Sequence, residues 1–563
     1  MRQFWVRYLR TLAADYILLA FLTFVVSVTA FVHYARSGDF LLYGDSVAHI
    51  NIARRLLDSR TPGPLQLGTA WLPLSHLLMA PFVFFDWAWK TGVGGSIPSM
   101  VAYVLATLGI FRLTRHGFEF MGSDSTAARI AAWTAAVVFA ANPNLIYLQS
   151  TAMTEPLSLA AFLWAMVFFG QFVENMLGYS EFAPEPDPRD SAHAGRALRR
   201  CAWCLAAWML IRYDGWYAAV AFTLAAAMVF SVGAKRRGLS ATHFMWHWKW
   251  KGPLVRFLLI LVAAPGLWFA HNAYYYGNPV EFATGPYSAR GIEQRTRRPG
   301  EAHHPGWDAP HIGALYFVKA AKLNLGEWSP SGATFFPLAL AGTALVLLFS
   351  PGLRYWLLLW FPIAAYAVSI AWGGIPIFMP PWYPYSYYNV RYGVQLLPAI
   401  AVFSAAAVYF SLAIVRARPW RVVVPALMAA LVGACYLQAW AATPISLREP
   451  RSNSAVRMVL ERGLANQLRE LPKDSTILMY TGEYGRALQI AGIPFRRTVN
   501  EGNRRDWARA LKSPANAADY IVAAPGDEIG QALGSHLPRL RAVAVVKTPP
   551  QGIVTVYAGT RRQ

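Results

Sequence analysis

The chain has 563 residues, 56% of them hydrophobic and only 14% charged. Apolar runs of about 18 to 23 residues, long enough to cross a bilayer as helices, recur from about residue 16 to 440, which excludes a soluble enzyme, a disordered chain and a fibre. Lys and Arg number 51 against 29 Asp and Glu, a net charge of +22. Most of these cations fall in short loops between apolar runs, so membrane topology accounts for them and nucleic acid is not needed as a partner.

The N-terminus is basic at Arg2, Arg7 and Arg10 and runs into an apolar stretch that ends near residue 32. That stretch is long enough to span, and it reads as an uncleaved signal anchor. Candidate spans are 13–33, 96–113, 128–148, 155–175, 198–213, 215–233, 254–275, 332–350, 354–371, 392–414 and 420–441. The stretch 70–90 is also apolar, but Pro73, His76, Pro81 and Asp86 make it a poor span, so it is expected to lie in the outer interface or to dip back. The basic loops then share one side. They carry Arg112 and Arg115; Arg189, Arg196, Arg199 and Arg200; Lys235, Arg236, Arg237, Lys249 and Lys251; Arg354; and Arg416, Arg418 and Arg421, and the positive-inside rule places that side in the cytoplasm.

The expected fold is a polytopic α-helical membrane protein of about eleven spans, in a plasma (inner) membrane, with the N-terminus cytoplasmic. Residues 1–441 form the membrane domain, with a first outer loop at 34–93, a second at 276–331 and a Pro/Tyr-rich loop at 372–391. Residues 442–563 form a small extracytoplasmic α/β domain. In it, 452–471 reads as an amphipathic helix, and apolar runs at 476–480, 520–524, 540–546 and 553–557 read as strands. It has no glycine-rich phosphate loop, so a lid or scaffold is favoured over a ligand-binding domain. Cys201, Cys204 and Cys435 lie in apolar runs and read as packing residues.

A charge at the end of a membrane helix is ordinarily an anchor, but here the ionisable residues group. The outer side collects Asp45 and His49, Glu155, Arg212 and Asp214 in a turn between two short spans, His271 with Asn272, Arg290, Lys319 and Lys322, and Arg391 followed by Tyr392. Few fall at mid-span depth, where a pump or ion-coupled transporter would carry them. Carboxylates and cations at an interface suit a lipid-borne phosphate held by Arg or Lys, with a carboxylate to take a proton from an attacking group. Asp45 precedes an amphipathic segment, 50–57, in which Arg54 and Arg55 are expected to face headgroups. Gly44 is expected to give a sharp entry that leaves Asp45 at the mouth of the helix and not within it, and helix capping is the alternative role for Asp45. Trp307, Tyr316 and Trp328 suit either stacking on a sugar or interfacial anchoring. His303, His304, Asp308 and His311 read as a solvated loop before a metal cluster.

The order of these motifs resembles the GT-C superfamily of membrane glycosyltransferases. The resemblance rests on Asp45 just after the first span, Ala53-Arg54, Leu72-Pro73-Leu74, Thr154-Glu155-Pro156, Arg212-Tyr213-Asp214-Gly215-Trp216, Tyr276-Gly277-Asn278-Pro279 with Phe282, Arg391-Tyr392 and Leu397-Pro398. It covers about residues 10–415, and the superfamily includes the protein O-mannosyltransferases and the lipid A aminoarabinose transferases. It implies an inverting transfer of a sugar from a polyprenyl-phosphate donor to an acceptor hydroxyl on a lipid, glycan or protein, within membrane lipids. Asp45 matches the general base, Glu155 a substrate-positioning acid, and Arg391 the arginine that faces the donor phosphate. His49, Arg212, Asp214, Arg290, Lys319 and Tyr392 join them as substrate-binding candidates. Ser46 stands where many relatives carry a second acid, so no metal ligand follows, and a divalent cation stays open as cofactor. The Trp-Trp-Asp motif of oligosaccharyltransferases is absent, which argues against transfer of a whole oligosaccharide. A transporter or flippase of a lipid-linked saccharide is the alternative from another class.

Overall fold

The structure is a computed structural model that describes residues 2–121, 125–177, 188–236, 238–240, 242–243, 245, 251–297, 300–326, 329–414, 419–534, 540–548 and 552–560. Among these, nine helices are long and apolar enough to cross a membrane, or ten if one bent pair counts as a span. The pair is Ser125–Ala140 and Pro143–Gln149, bent by 64°. The bend has a local cause. Pro143 has no N–H to continue a helix, and the Asn142 side chain accepts from the amides of Asn144 and Leu145, so a new helix starts there. The expected span at 198–213 falls in helix Pro188–Met209, which is not among the nine; Arg196, Arg199 and Arg200 cut its apolar run short. Of the loop cations, Arg237, Lys249, Arg416 and Arg418 lie outside the described residues, as does Trp328.

The chain forms two compact units. The first comprises 1–33, 99–150 and 154–449; the second comprises 34–98, 151–153 and 450–563. In the first, helix Glu155–Leu177 packs on Pro188–Met209, and Leu397–Ile414 packs on both Ser125–Ala140 and Pro330–Phe349. The last contact is a close backbone approach, because a Cβ on Gly342 would stand 1.8 Å from the Phe403 carbonyl oxygen, the small-residue packing that lets membrane helices associate. Asp15 is buried against helices Val93–Phe120 and Ser125–Ala140, and its carboxylate is held at 2.6 Å by Arg115 of the first and 2.7 Å by Arg129 of the second.

In the second unit, the segment 34–98 folds with the tail. Helix Gly44–Arg55 packs on helix Pro73–Val83 and on Thr481–Ala491. Helix Pro73–Val83 has 11 residues, too few to span. It buries His76, Met79 and Val83 and exposes Leu77, Leu78 and Phe82, next to exposed Phe84, Phe85 and Trp87. The tail sheet has five strands, β1 (Ile477–Leu478), β2 (Thr498–Val499), β3 (Tyr520–Ala523), β4 (Ala542–Thr548) and β5 (Gly552–Ala558), in the order β2-β1-β3-β5-β4. β1 is parallel to β2 and β3, and β5 is antiparallel to β3 and β4. Leu478, Val499, Trp507, Ile521, Ile529 and Leu533 are among the residues of its core.

Candidate active site

The residues singled out from the sequence divide between the units. Asp45 and His49 belong to the second; Glu155, Arg212, Asp214, Arg290, Lys319, Arg391 and Tyr392 belong to the first.

In the first unit, five of these seven converge. Glu155 opens a helix, Arg212 and Asp214 flank the turn into helix Asp214–Arg236, and Arg391 and Tyr392 lie in the 3-10 turn Val390–Leu396. Glu155 is fully buried, and its Oε1 accepts from Arg391 Nε at 3.1 Å and from Arg212 Nη1 at 3.3 Å. Arg391 Nη1 also donates to Glu449 Oε1 at 3.0 Å. Arg212 Nε donates to Asp214 Oδ2 at 3.2 Å, and its Nη2 donates to the Tyr366 hydroxyl at 2.8 Å. Tyr366 passes the chain on, donating to Asp214 Oδ2 at 3.1 Å. Both guanidinium carbons lie 4.8 Å from the centre of the Tyr392 ring, a cation–π arrangement. Two like charges gather on one ring because three carboxylates surround them. With all five groups ionised the cluster is one charge negative, as buried charge requires close partners. One acceptor stands over: Glu155 Oε2 is buried with no hydrogen-bond partner.

Arg391, expected to face a donor phosphate, is thus engaged by two carboxylates, with its side chain 5% exposed. Arg290 and Lys319 lie instead over aromatic rings, Trp307 at 5.4 Å and Trp382 at 5.8 Å. Trp307 also stacks on His303 at 4.1 Å, and Tyr316 donates to the Tyr383 carbonyl at 2.8 Å. His303 accepts from Arg297 at 2.9 Å. Among the described residues no group of three or more His, Cys, Asp and Glu is placed to hold a metal ion.

Two members of the cluster were not read from the sequence. Glu449 lies in Arg448-Glu449-Pro450, just past the last span, and repeats the acid–proline pattern of Glu155-Pro156; that repetition was the available signal. Tyr366 is one tyrosine in an apolar run and gives none.

In the second unit, helix Gly44–Arg55 starts at Gly44 itself, so Asp45 lies inside the first turn and is half-buried. This corrects the expectation of a sharp glycine entry. Gly44 has no positive φ, and a Cβ there would meet nothing within 4 Å. The N-cap residue is Tyr43, with no side-chain cap, so Asp45 is not the capping residue. Ser46, beside it, accepts from the Ala152 amide at 3.0 Å. His49, one turn on from Asp45, is buried beside Trp71 and His76.

Arg54 and Arg55 do not face headgroups. Arg54 is buried and donates to the carbonyls of Val83 at 3.0 Å and Phe84 at 2.7 Å, with Asp58 at 3.2 Å and Asp86 at 2.5 Å as counter-ions. Helix C-termini leave carbonyls without partners, and a cation satisfies both them and the dipole. Arg55 Nη1 pairs with Glu501 at 3.1 Å. Glu501 follows β2 and takes the Thr481 amide at 2.9 Å at the start of helix Thr481–Ala491. In open sheets of this kind the helix start after a central parallel strand is where anionic ligands sit; in this tail a carboxylate of the chain itself occupies it. At the carboxyl end of β3, burial pushes the Asp527 carboxyl above its usual range.

No protein-family model matches the chain, and no curated protein matches it by sequence. Solved structures do match. ArnT from Cupriavidus metallidurans, solved bound to undecaprenyl phosphate, is 13% identical and aligns with a TM-score of 0.52 over 94% of this chain and 97% of that one. The oligosaccharyltransferase of Archaeoglobus fulgidus in its apo form is 13% identical with a TM-score of 0.44 over 90% of this chain and 69% of that one. The same archaeal enzyme with an inhibitory peptide and a dolichol-phosphate is 14% identical, with a TM-score of 0.41 over 97% and 74%; these two lower scores carry no further argument. At such identity the ArnT match shows the fold. The chain has an ArnT-like fold over nearly the whole of both chains.

Proposed function

We propose that the protein is an inverting glycosyltransferase that moves a sugar from a polyprenyl-phosphate donor to an acceptor hydroxyl at the outer face of a plasma membrane. The observation that carries this reading is the fold match over nearly the whole length of an enzyme solved with undecaprenyl phosphate. In this reading the N-terminus is cytoplasmic, and the tail from residue 442 stands outside as a scaffold.

The reaction is a single displacement at the anomeric carbon. The acceptor oxygen forms the new bond, its proton passes to the Asp45 carboxylate, and the bond to the phosphate oxygen breaks with its electron pair going to the phosphate. A positioned base typically supplies ~10² to 10⁴ in rate, and an aspartate is a weak base toward an alcohol, so proton transfer comes late in the displacement. Arg391, with Arg212, takes the phosphate. To do so, the phosphate replaces a carboxylate on Arg391, and its multiple anionic oxygens suit the guanidinium fork at least as well. Glu155 holds the two guanidiniums ready in the donor's absence, and His49, Asp214, Tyr392, Arg290 and Lys319 complete the binding surfaces.

Mass spectrometry of membrane lipids and envelope glycans, from cells with and without this chain, tests the reading. It predicts that one glycosyl increment disappears with the chain while polyprenyl-phosphate sugar accumulates. Unchanged glycans and lipids would overturn it.

A further inference from the structure

His49 is joined to a residue that no motif marks. Its Nδ1 lies 2.9 Å from Nε2 of His76, which sits in the first turn of helix Pro73–Val83. Both side chains are buried, with residue exposures of 3% and 0%. Between two neutral imidazoles one nitrogen must carry the proton and the other accept it. Either His76 donates from Nε2 to His49 Nδ1, or the reverse holds.

The second nitrogen of His76 decides between them. Its Nδ1 is buried and has no hydrogen-bond partner. If His76 donates from Nε2, that Nδ1 is a bare lone pair. If His76 accepts at Nε2, Nδ1 must be an N–H, and an orphaned buried donor is the rarer state in folded proteins, as backbone groups show. The doubly protonated ring is also unfavourable, because burial first, and then His49 and Arg55, hold His76 well below the ordinary histidine range. The geometry leaves His76 as the donor, and His49 then has its own proton on Nε2.

We propose that His76 is a positioning residue that locks His49 as the Nε2–H tautomer, making His49 a fixed hydrogen-bond donor on the helix face it shares with Asp45. Residues four apart on a helix are neighbours, and the Trp71 ring, centred 4.9 Å from that of His49, helps fix its orientation. The inference rests on Asp45 being the base. With its Nδ1 already accepting from His76, His49 takes no proton from the acceptor. It donates to an oxygen of the acceptor other than the attacking one and so orients the acceptor, while the attacking hydroxyl's proton goes to Asp45, and its own proton count does not change.

The test begins with the wild-type protein, isotope-labelled at histidine nitrogens and reconstituted in lipid nanodiscs, with His49→Gln used to assign the His49 signals. The expected nitrogen shifts are those of the Nε2–H form, and an Nδ1–H form overturns the proposal without any His76 variant. His76→Gln keeps a donor nitrogen near the same place and retains the tautomer and kcat to within about threefold. His76→Glu presents an acceptor of like size, flips His49 to Nδ1–H and lowers kcat by ~10², the usual effect of a reactant held out of line, with little change in KM. Equal kcat for the two variants, both folded, would reduce His76 to packing. Should Asp45→Asn retain turnover, the base reading falls, and the nitrogen shifts still decide the tautomer.

Discussion

Replacing Glu155 with alanine removes the one carboxylate that two buried guanidiniums share. Its Oε1 stands 3.1 Å from Arg391 Nε and 3.3 Å from Arg212 Nη1; for charge centres ~4 Å apart at an effective dielectric of ~20, each attraction is about 4 kcal/mol. That gross figure is not the net effect. Arg391 keeps Glu449 and Arg212 keeps Asp214, and a fully buried carboxylate no longer has to be desolvated. What remains is the repulsion of two guanidiniums over the Tyr392 ring and the broken buried pair, for which about 3–5 kcal/mol is typical. With one counter-ion left to each arginine, the expected loss for Glu155→Ala is about 3 kcal/mol, and for Glu155→Gln, which keeps a neutral acceptor, about 2 kcal/mol. Thermal unfolding of purified protein in one detergent, followed by loss of the monodisperse peak, reads this as a fall in Tm of about 3 °C for alanine and less for glutamine. An alanine variant that melts with the wild type would refute the shared-counter-ion reasoning, as would a glutamine variant that melts below the alanine one.

Arg391→Lys keeps the charge but loses the planar fork, and polyprenyl-phosphate binding by calorimetry is expected to weaken about tenfold; unchanged affinity removes Arg391 from the donor site. Gly342→Ala drives a Cβ against the Phe403 carbonyl and is expected to cost about 1–3 kcal/mol as overpacking. Gly44→Ala meets open space and is expected to leave Tm unchanged or slightly raised, so equal losses for the two glycines would contradict the packing described. Glu501→Gln removes the carboxylate charge between Arg55 and the Thr481 amide and leaves one carbonyl oxygen in its place; at 13% exposure on both side chains the expected loss is about 1–2 kcal/mol, seen as faster proteolysis of the tail.

The spans were legible because lipid leaves the chain few solutions: long apolar runs must become helices, and 332–350 and 392–414 did so nearly residue for residue, while 96–113 falls within the longer helix Val93–Phe120. Strands β1, β3, β4 and β5 also matched apolar runs, whereas β2 has two residues, too few for a period to register. The convergence of Glu155, Arg212, Asp214, Arg391 and Tyr392 followed from their shared position at span ends. Their partners did not. Glu449 was assigned to the tail because hydropathy falls there, although its side chain is held by backbone and guanidinium donors of the 389–391 turn. The fate of Arg54 and Arg55 was illegible for a different reason. An amphipathic helix with two arginines reads as interfacial when its partners are unknown, and the partner of Arg55 lies 446 residues further along. His76 was read only as a blemish in an apolar stretch, since nothing local signals that it meets His49.

The central claim is that Asp45 takes the acceptor's proton in a sugar transfer. Single-turnover transfer from a radiolabelled polyprenyl-phosphate sugar, measured with purified wild-type protein and Asp45→Asn side by side, tests it most directly. The account predicts that the variant binds the donor with wild-type affinity, melts at the wild-type temperature and transfers ~10² to 10⁴ more slowly. Wild-type turnover by the asparagine variant would contradict it.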